Sequence, residues 1–285
     1  MRRWSNLLYV IPIFILLSVF VYYSLIDTWV TSFYEWNGID ENRRFIGLDN
    51  YIDLVKDPVF YQAIRNTLIF MVFTIFIQAF LGFMIALLLK TDVKLKSLYK
   101  TIFFMPVVLS TTVVAYVFRH IYDANNGSLN RFLESIGLDS LAMTWLADPE
   151  LALYCIIAIN IWQWTGFSFI MYYSAMSLID KDMYEAALID GASFFRMVRS
   201  ITLPLLRSTH FSLVILGVIG SLKQFDLVFL TTGGGPGRAS EMLSTYIYKK
   251  AILEYNAGYS STLAVVLLII ALALTVVQLR AYRRA

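Results

Sequence analysis

The chain has 285 residues, of which 59% are hydrophobic and 15% charged, with a formal net charge of +3 and a mean hydropathy of +0.66. A soluble globular chain is nearer to about 45–50% apolar and about 25% charged, so the composition argues against a soluble domain and for a polytopic membrane protein. No nucleic-acid partner is expected. The single cysteine, Cys155, lies in an apolar run and reads as a small buried residue, and the loops must fold without an intrachain disulfide.

About 20 helical residues cross a hydrocarbon core about 30 Å thick. Six apolar stretches meet that length, near 7–26, 67–89, 101–118, 151–175, 208–222 (short, extended by its flanks) and 262–279. Arg2 and Arg3 precede the first, but its run exceeds a signal core and no small-x-small site follows, so it reads as an uncleaved span. After it come Trp29, Tyr34 and Trp36, where aromatic belts are expected. Residues 45–67 read as a short outer helix with Leu48, Ile52, Val55 and Val59 at helical spacing, and Asp57-Pro58 marks a break and a fresh start.

With the N-terminus inside, the inner segments hold 13 of the 23 basic residues: Arg2, Arg3, Lys90, Lys94, Lys96, Lys100, Lys181, Arg196, Arg199, Arg207, Arg280, Arg283 and Arg284. They do so in about half the loop length of the outer side, which sets the orientation. Asp92, Asp180, Asp182, Glu185 and Asp190 fall inside and the other acids outside. Both termini are then cytoplasmic, as is the segment 180–206. The long loops near 27–66, 119–150 and 223–261 face out.

Several chemistries find no residues. The loop TTGGGPG (231–237) lacks the Gly-Lys-Ser/Thr ending that places a lysine on phosphate, so it reads as a tight loop with glycines at positive φ. His120 and His210 have no metal-ligand spacing and read as interfacial polar residues. No nucleophile motif is present, so the chain is expected to be non-catalytic and to bind no metal or cofactor. The polar residues in or near spans are Asn66, Gln78, Asn160, Gln163, Ser168, Ser221, Lys223 and Gln224. Amides and hydroxyls suit a neutral polyhydroxyl solute better than a proton relay; interhelical hydrogen bonding is the other reading.

Residues 180–206 break the apolar pattern. Asp180 can cap a helix from Lys181, Gly191 can end it in the left-handed conformation, and Ser193 can cap a second helix. Phe194, Met197, Val198 and Ile201 then form one apolar stripe, and Pro204 fits the first turn of the fifth span. Read from the residues, this is either an interfacial helix on the inner leaflet or an element that fits a partner's groove. The small pair Gly191-Ala192 permits close backbone approach.

EAALIDGASFFRMVRSITLPLL (185–206) resembles the EAA loop of ABC-importer permeases: Glu185, Ala186, Ala187, Gly191, Ala192, Ile201, Leu203 and Pro204 match in spacing. Val198 departs from the usual Phe but keeps an apolar knob. GLDNY (47–51), DPVF (57–60), RNT (65–67), NIWQWTGF (160–167), TTGGGP (231–236), YIY (246–248) and GY (258–259) resemble the maltose-type carbohydrate-importer permeases, in the order of the first of their two paired subunits.

The resemblance implies an all-α type I importer permease fold of six transmembrane helices with a cytoplasmic coupling helix, in a bacterial or archaeal cytoplasmic membrane. It implies a second permease subunit, two ABC ATPase subunits that carry ATP and Mg, and an extracytoplasmic solute-binding protein. Glu185, Ala186, Ala187, Asp190, Gly191 and Ala192 would dock the ATPase, and a Cβ at Gly191 would obstruct both the turn and the approach. Asn160, Trp162, Trp164, Phe167, Ser221, Lys223 and Gln224 would line the solute pathway. A permease for glycerol phosphate or a polyamine would carry more fixed charge, and a stand-alone carrier would need coupling carboxylates in its spans.

Overall fold

The computed structural model describes residues 2–91 and 93–284, and side chains over 10–91 and 93–283. Asp92 lies outside the described residues, as do the side chains of Arg2, Arg3 and Arg284. Helix α1 (Arg2–Leu17) continues through a π turn into α2 (Tyr23–Thr31). A short antiparallel ribbon, β1 (Tyr34–Glu35) and β2 (Arg44–Phe45), sets Tyr34 opposite Phe45. Then come α3 (Asp49–Lys56), α4 (Pro58–Lys90), α5 (Lys96–Val108), α6 (Thr111–Ile121), α7 (Ser128–Ser135) and α8 (Ala152–Ser177). The chain goes on through α9 (Lys181–Ile189), α10 (Phe194–Met197), α11 (Leu203–Leu205) and α12 (Arg207–Leu222). It ends with α13 (Asp226–Thr231), α14 (Leu243–Tyr248) and α15 (Ala257–Arg284).

Four stretches are long and apolar enough to cross a membrane, Val10–Thr31, Pro58–Lys90, Ala152–Ser177 and Ala257–Arg283, and two bent pairs raise the number to six if each is one span. The third and fifth expected spans are each a bent pair of helices. The third is α5 and α6, bent by 96°. Leu109 and Ser110 are both extended there (ψ 138° and 143°), and the Ser110 hydroxyl accepts from Val113 N at 3.4 Å to start α6. The fifth is the run Phe194–Leu205 followed by α12, bent by 63°. Pro204, with no N–H to donate, sits ahead of that bend in α11 and not in the first turn of α12.

The chain divides into two compact units: residues 1–61 with 243–273, and residues 62–242 with 274–285. In the first, Asp57 breaks the chain between α3 and α4 as its Asp-Pro pair predicts. Its Oδ1 accepts from Val59 N at 2.8 Å, which caps α4. Its Oδ2 accepts from the Tyr259 hydroxyl at 2.6 Å and from the Tyr246 hydroxyl. Asn50 Nδ2 donates to the carbonyls of Ser32 (2.9 Å) and Tyr34 (3.1 Å). A Cβ at Gly258 would lie 2.0 Å from the Tyr34 carbonyl oxygen, so only glycine fits. Leu48, Ile52 and Val55 are exposed, and Asn50 and Leu54 are the buried residues of α3. The apolar spacing of Leu48, Ile52 and Val55 thus falls on the exposed side of α3.

In the second unit α8 is the inner helix. Of its most apolar window 56% is buried inside the protein, against 22% for α4 and 17% for α15, and its hydropathy of 1.3 is the lowest of the four. Toward one end it packs Ile156, Ile157 and Ile159 against Phe70, Val114, Leu227 and Val228. Toward the other, Phe169, Tyr172 and Met176 pack against Ala86, Leu89 and Leu213. Glycine allows the closest approaches: a Cβ at Gly166 would lie 2.1 Å from the Phe103 carbonyl oxygen, and one at Gly82 would lie 2.7 Å from Phe169 N. Small residues at such crossings are how membrane helices gain contact when lipid is as apolar as their side chains.

Burial works to raise the Asp57 carboxyl, but the phenols of Tyr246 and Tyr259 and the N–H groups of Val59 and Phe60 outweigh it, so it titrates below its ordinary 3.8. A depressed folded pKa gives stability that is complete above the unfolded pKa and is lost as pH falls through the folded value. Asp57→Asn should therefore cost about 1–3 kcal/mol at neutral pH. Thermal unfolding of the purified protein should show that deficit unchanged down to about pH 5 and shrinking at about pH 3.

Candidate functional site

Two features carry the functional residues, the 180–206 segment and a cleft along α8. In the segment, Asp180 Oδ1 accepts from Asp182 N at 3.1 Å and caps α9, as its position predicts. Gly191 has φ +75°. Its N–H donates to Leu188 O at 3.0 Å, and Ala192 N donates to Ala187 O at 2.9 Å, the paired closure that a left-handed glycine gives a helix end. Nothing lies within 4 Å of a Cβ built on Gly191, so within the chain it is φ that demands glycine.

Ser193 stands at the N-cap of α10, but its side chain makes no capping bond. Its carbonyl instead accepts from Met197 N at 3.0 Å. The second arm is longer than a short helix: α10, a π turn over Val198–Thr202 and α11 follow one another without a break. Met197, Val198 and Ile201 are half-buried and Thr202 buried, and the Tyr184 hydroxyl meets Thr202 Oγ1 at 3.0 Å, joining the two arms. Phe194, the fourth member of the predicted stripe, is exposed. Around the turn, Glu185, Ala186, Asp190 and Gly191 are exposed, while Ala187 and Ala192 are half-buried. Ile189 and Phe195 are 87% and 82% exposed, an apolar rim on either side of the turn.

The cleft holds about 340 Å³ between α4, α8 and α12. It brings together Asn160, Trp164, Phe167, Ser221 and Gln224 of the expected pathway residues, and adds Gln78 and Ser168. Gln78 Nε2 donates to Asn160 Oδ1 at 2.9 Å and to its carbonyl at 3.2 Å. That fixes the Asn160 amide and leaves its Nδ2 as a donor at the cleft. Trp164 and Phe167 stand edge to face, 6.4 Å apart. Among the described residues no acid or base lines the cleft.

Two expected residues are elsewhere. Trp162 is two residues from Asn160, about 200° around a helix, and packs on Phe118 with ring centroids 5.2 Å apart. Lys223 is the exposed C-cap of α12 and lines no part of the cleft. What sequence reading missed is the bare wall opposite: Gly217 and Gly220, one turn apart on α12. A Cβ at Gly217 would lie 2.5 Å from Ile75 Cγ1, so α12 and α4 meet there. Glycines three apart on an apolar helix were the available signal.

The glycine loop is structural, as its composition predicts. Gly233, Gly234 and Gly237 have φ of +60°, +87° and +52°. Asn66 Nδ2 holds the loop's far side through the carbonyls of Ala239 and Glu241, each at 2.9 Å, and Gln62 Nε2 through that of Arg238 at 3.0 Å. Cys155 is buried. His210 Nδ1 meets the Tyr172 hydroxyl at 2.7 Å, and His120 packs on Tyr116. Among the described residues no three His, Cys, Asp or Glu side chains gather as a metal site would require.

Residues 65–284 match the family described as the binding-protein-dependent transport system inner membrane component. The chain belongs to this family. It is 37% identical over 278 residues to the probable ABC transporter permease protein YurN of Bacillus subtilis, covering 97% of this chain and 95% of that one. It is 33% identical over 280 residues to the lactose transport system permease protein LacF of Rhizobium radiobacter, covering 97% and 93%. Its fold is similar to a chain of the crystal structure of a bacterial ABC transporter involved in the import of the acidic polysaccharide alginate, with a TM-score of 0.87 at 25% identity over 99% of this chain and 96% of that chain. This permease is thus a membrane-embedded, multi-pass transport component with the type I importer fold.

The cleft geometry separates the pathway residues. Losing an aromatic platform or a neutral hydrogen bond costs about 0.5–1.5 kcal/mol. Trp164→Ala and Asn160→Ala should each lower the uptake rate at limiting solute by about threefold to tenfold. Trp162→Phe and Lys223→Gln should stay within twofold, about the limit of such an assay, by initial-rate uptake of radiolabelled solute.

Proposed function

We propose that this permease is one of two paired membrane subunits of an ABC importer that carries a neutral sugar or oligosaccharide into the cytoplasm, driven by ATP hydrolysis on separate ATPase subunits. One observation carries the reading: the two arms of the Gly191 turn connect to two of the three helices that line the cleft, α8 and α12. On one side only residues 178–180 separate α9 from α8. On the other, α10, the π turn and α11 lead directly into α12. A push on the turn reaches the α8 and α12 walls of the cleft together.

The turn is built to receive such a push. Ile189 and Phe195 form an apolar rim, Glu185 and Asp190 add charge, and Gly191 and Ala192 leave the backbone open to a partner. The basic residues place this face and both termini in the cytoplasm. ATP and Mg belong to the ATPases, and this chain binds no cofactor. A solute-binding protein, which the family's description names as the dependence of such systems, would deliver solute on the far side.

The neutral class follows from the lining. Amides, hydroxyls and two aromatic rings match sugar hydroxyls and the apolar face of a pyranose. LacF is named for lactose, a neutral disaccharide, and the alginate importer for an acidic polysaccharide. The uncharged cleft aligns this chain with the former. It likewise disfavours glycerol phosphate and polyamines, whose charges would meet no counter-charge there.

Gly191→Asp forces a β-carbon onto φ +75° and adds charge at the turn's tip. The variant should insert normally and assemble with its paired permease, yet lose more than nine-tenths of ATP-driven uptake and of solute-stimulated ATPase activity. The check is uptake and ATPase assays on membranes of matched permease content. Wild-type uptake in that variant would remove the docking role from this turn.

A further inference from the structure

Behind the Gly191 turn lies a second cavity, of about 550 Å³. Its walls are the two arms of the turn and the ends of α4, α5 and α8. Lys90, the last residue of α4, Lys96, the first of α5, and Lys181, the first of α9, all line it. Lys100 stands one turn beyond Lys96 on the same face. Three of these ammonium groups gather on one ring of α8: Lys100 Nζ is 3.9 Å from the Tyr173 centroid, Lys90 Nζ 5.2 Å and Lys96 Nζ 5.9 Å.

A ring face offsets little of the mutual repulsion of three cations. None of the four lysines has an ion-pair partner among the described residues. The acids nearest to Lys181 in sequence are Asp180, which is engaged in capping α9, and Asp182, which is exposed. Hydroxyl-bearing Thr91, Ser177 and Thr202 complete a polar lining. The first turn of α5 has no side-chain cap, which leaves its positive end toward the same place.

Beside this cationic pocket the surface is apolar and open. Leu188 and Phe194, which line the same pocket, are 58% and 52% exposed, and Lys90 ends a 33-residue helix whose apolar length exceeds the membrane core. An anion alone would satisfy the lysines and leave this surface bare. A phosphate that carries acyl chains satisfies both. We infer that the pocket binds the phosphate of an anionic phospholipid, wedged between the coupling element and the ends of α4, α5 and α8. The lipid would stiffen the joint through which the turn acts on α8. Basic pockets between membrane helices take such headgroups by the same charge pairing.

The test uses the complete importer in nanodiscs of phosphatidylcholine with a photoactivatable phosphatidylglycerol as the probe. Crosslinks should map to residues 88–100 and 173–184, and unlabelled phosphatidylglycerol should compete them away while inorganic phosphate does not. The triple variant Lys90→Gln, Lys96→Gln, Lys100→Gln should lose at least tenfold of the labelling, and the corresponding Lys→Arg triple should keep it. The Arg variant separates loss of charge from loss of fold. Competition by inorganic phosphate would keep the phosphate chemistry but assign it to the soluble ion, overturning the lipid. Equal labelling of wild type and the Gln variant would overturn the site. Loss of the ATPase subunits from the Gln variant with labelling intact would give the lysines to an acidic protein surface and would equally overturn it.

Discussion

The arrangement of the second unit depends on polar side chains of α8 that have to find partners in a medium without water. A membrane core offers no solvent to an unpaired amide, so bonds within the protein are favoured, although Gln163 Oε1 is buried without a partner. Asn160 meets Gln78 of α4. Gln163 Nε2 donates to the Leu109 carbonyl at 3.2 Å, where the bend between α5 and α6 ends a run of helical bonds. Tyr172 meets His210 of α12. Interhelical bonds of this kind are worth about 0.6–2 kcal/mol each, and these three hold three different elements in register on one helix. Hydrophobic burial cannot do this, because lipid competes with side chains for apolar contact on equal terms.

The same seam explains how the site is placed. The bond that fixes Asn160 also shapes the cleft, since Gln78 and Asn160 both line it. Tyr172 and His210 join α8 to α12 between the cleft and the turn, so the two helices that continue into the turn are fastened where a force would enter them. Gly82 and Gly166 mark close backbone approaches to α8 and α5, and Gly217 makes room for the Ile75 side chain. The structure therefore joins the 180–206 segment to the cleft through two helices held together, by residues 178–180 on one side and the bend at Leu206 on the other.

Much of this was legible in the sequence because it rests on local chemistry. Asp180, Gly191 and the Asp57 break follow from capping and dihedral preferences, and the structure has all three. The spans were legible as apolar runs, but their bends were not: hydropathy counts residues and does not see two extended positions at Leu109 and Ser110. Ser193 looked like a cap from its type and position, yet only its carbonyl is used. The cleft collects Asn160 and Ser221 but not Trp162 or Lys223, because two residues on is about 200° around a helix. The scattered motifs found their reason only in three dimensions, where Asn50, Asp57, Tyr246, Gly258 and Tyr259, from four separate motifs, form one set of contacts in the first unit.

The central claim is that force from ATP hydrolysis, applied at one turn, moves a neutral solute through a cleft this chain half-builds. The most direct measurement is uptake into proteoliposomes holding the complete importer, with its binding protein outside and ATP enclosed or withheld. The account predicts accumulation of neutral oligosaccharide only with enclosed ATP, unaffected by collapsing proton and sodium gradients. Accumulation that persists without ATP and follows an ion gradient would contradict it.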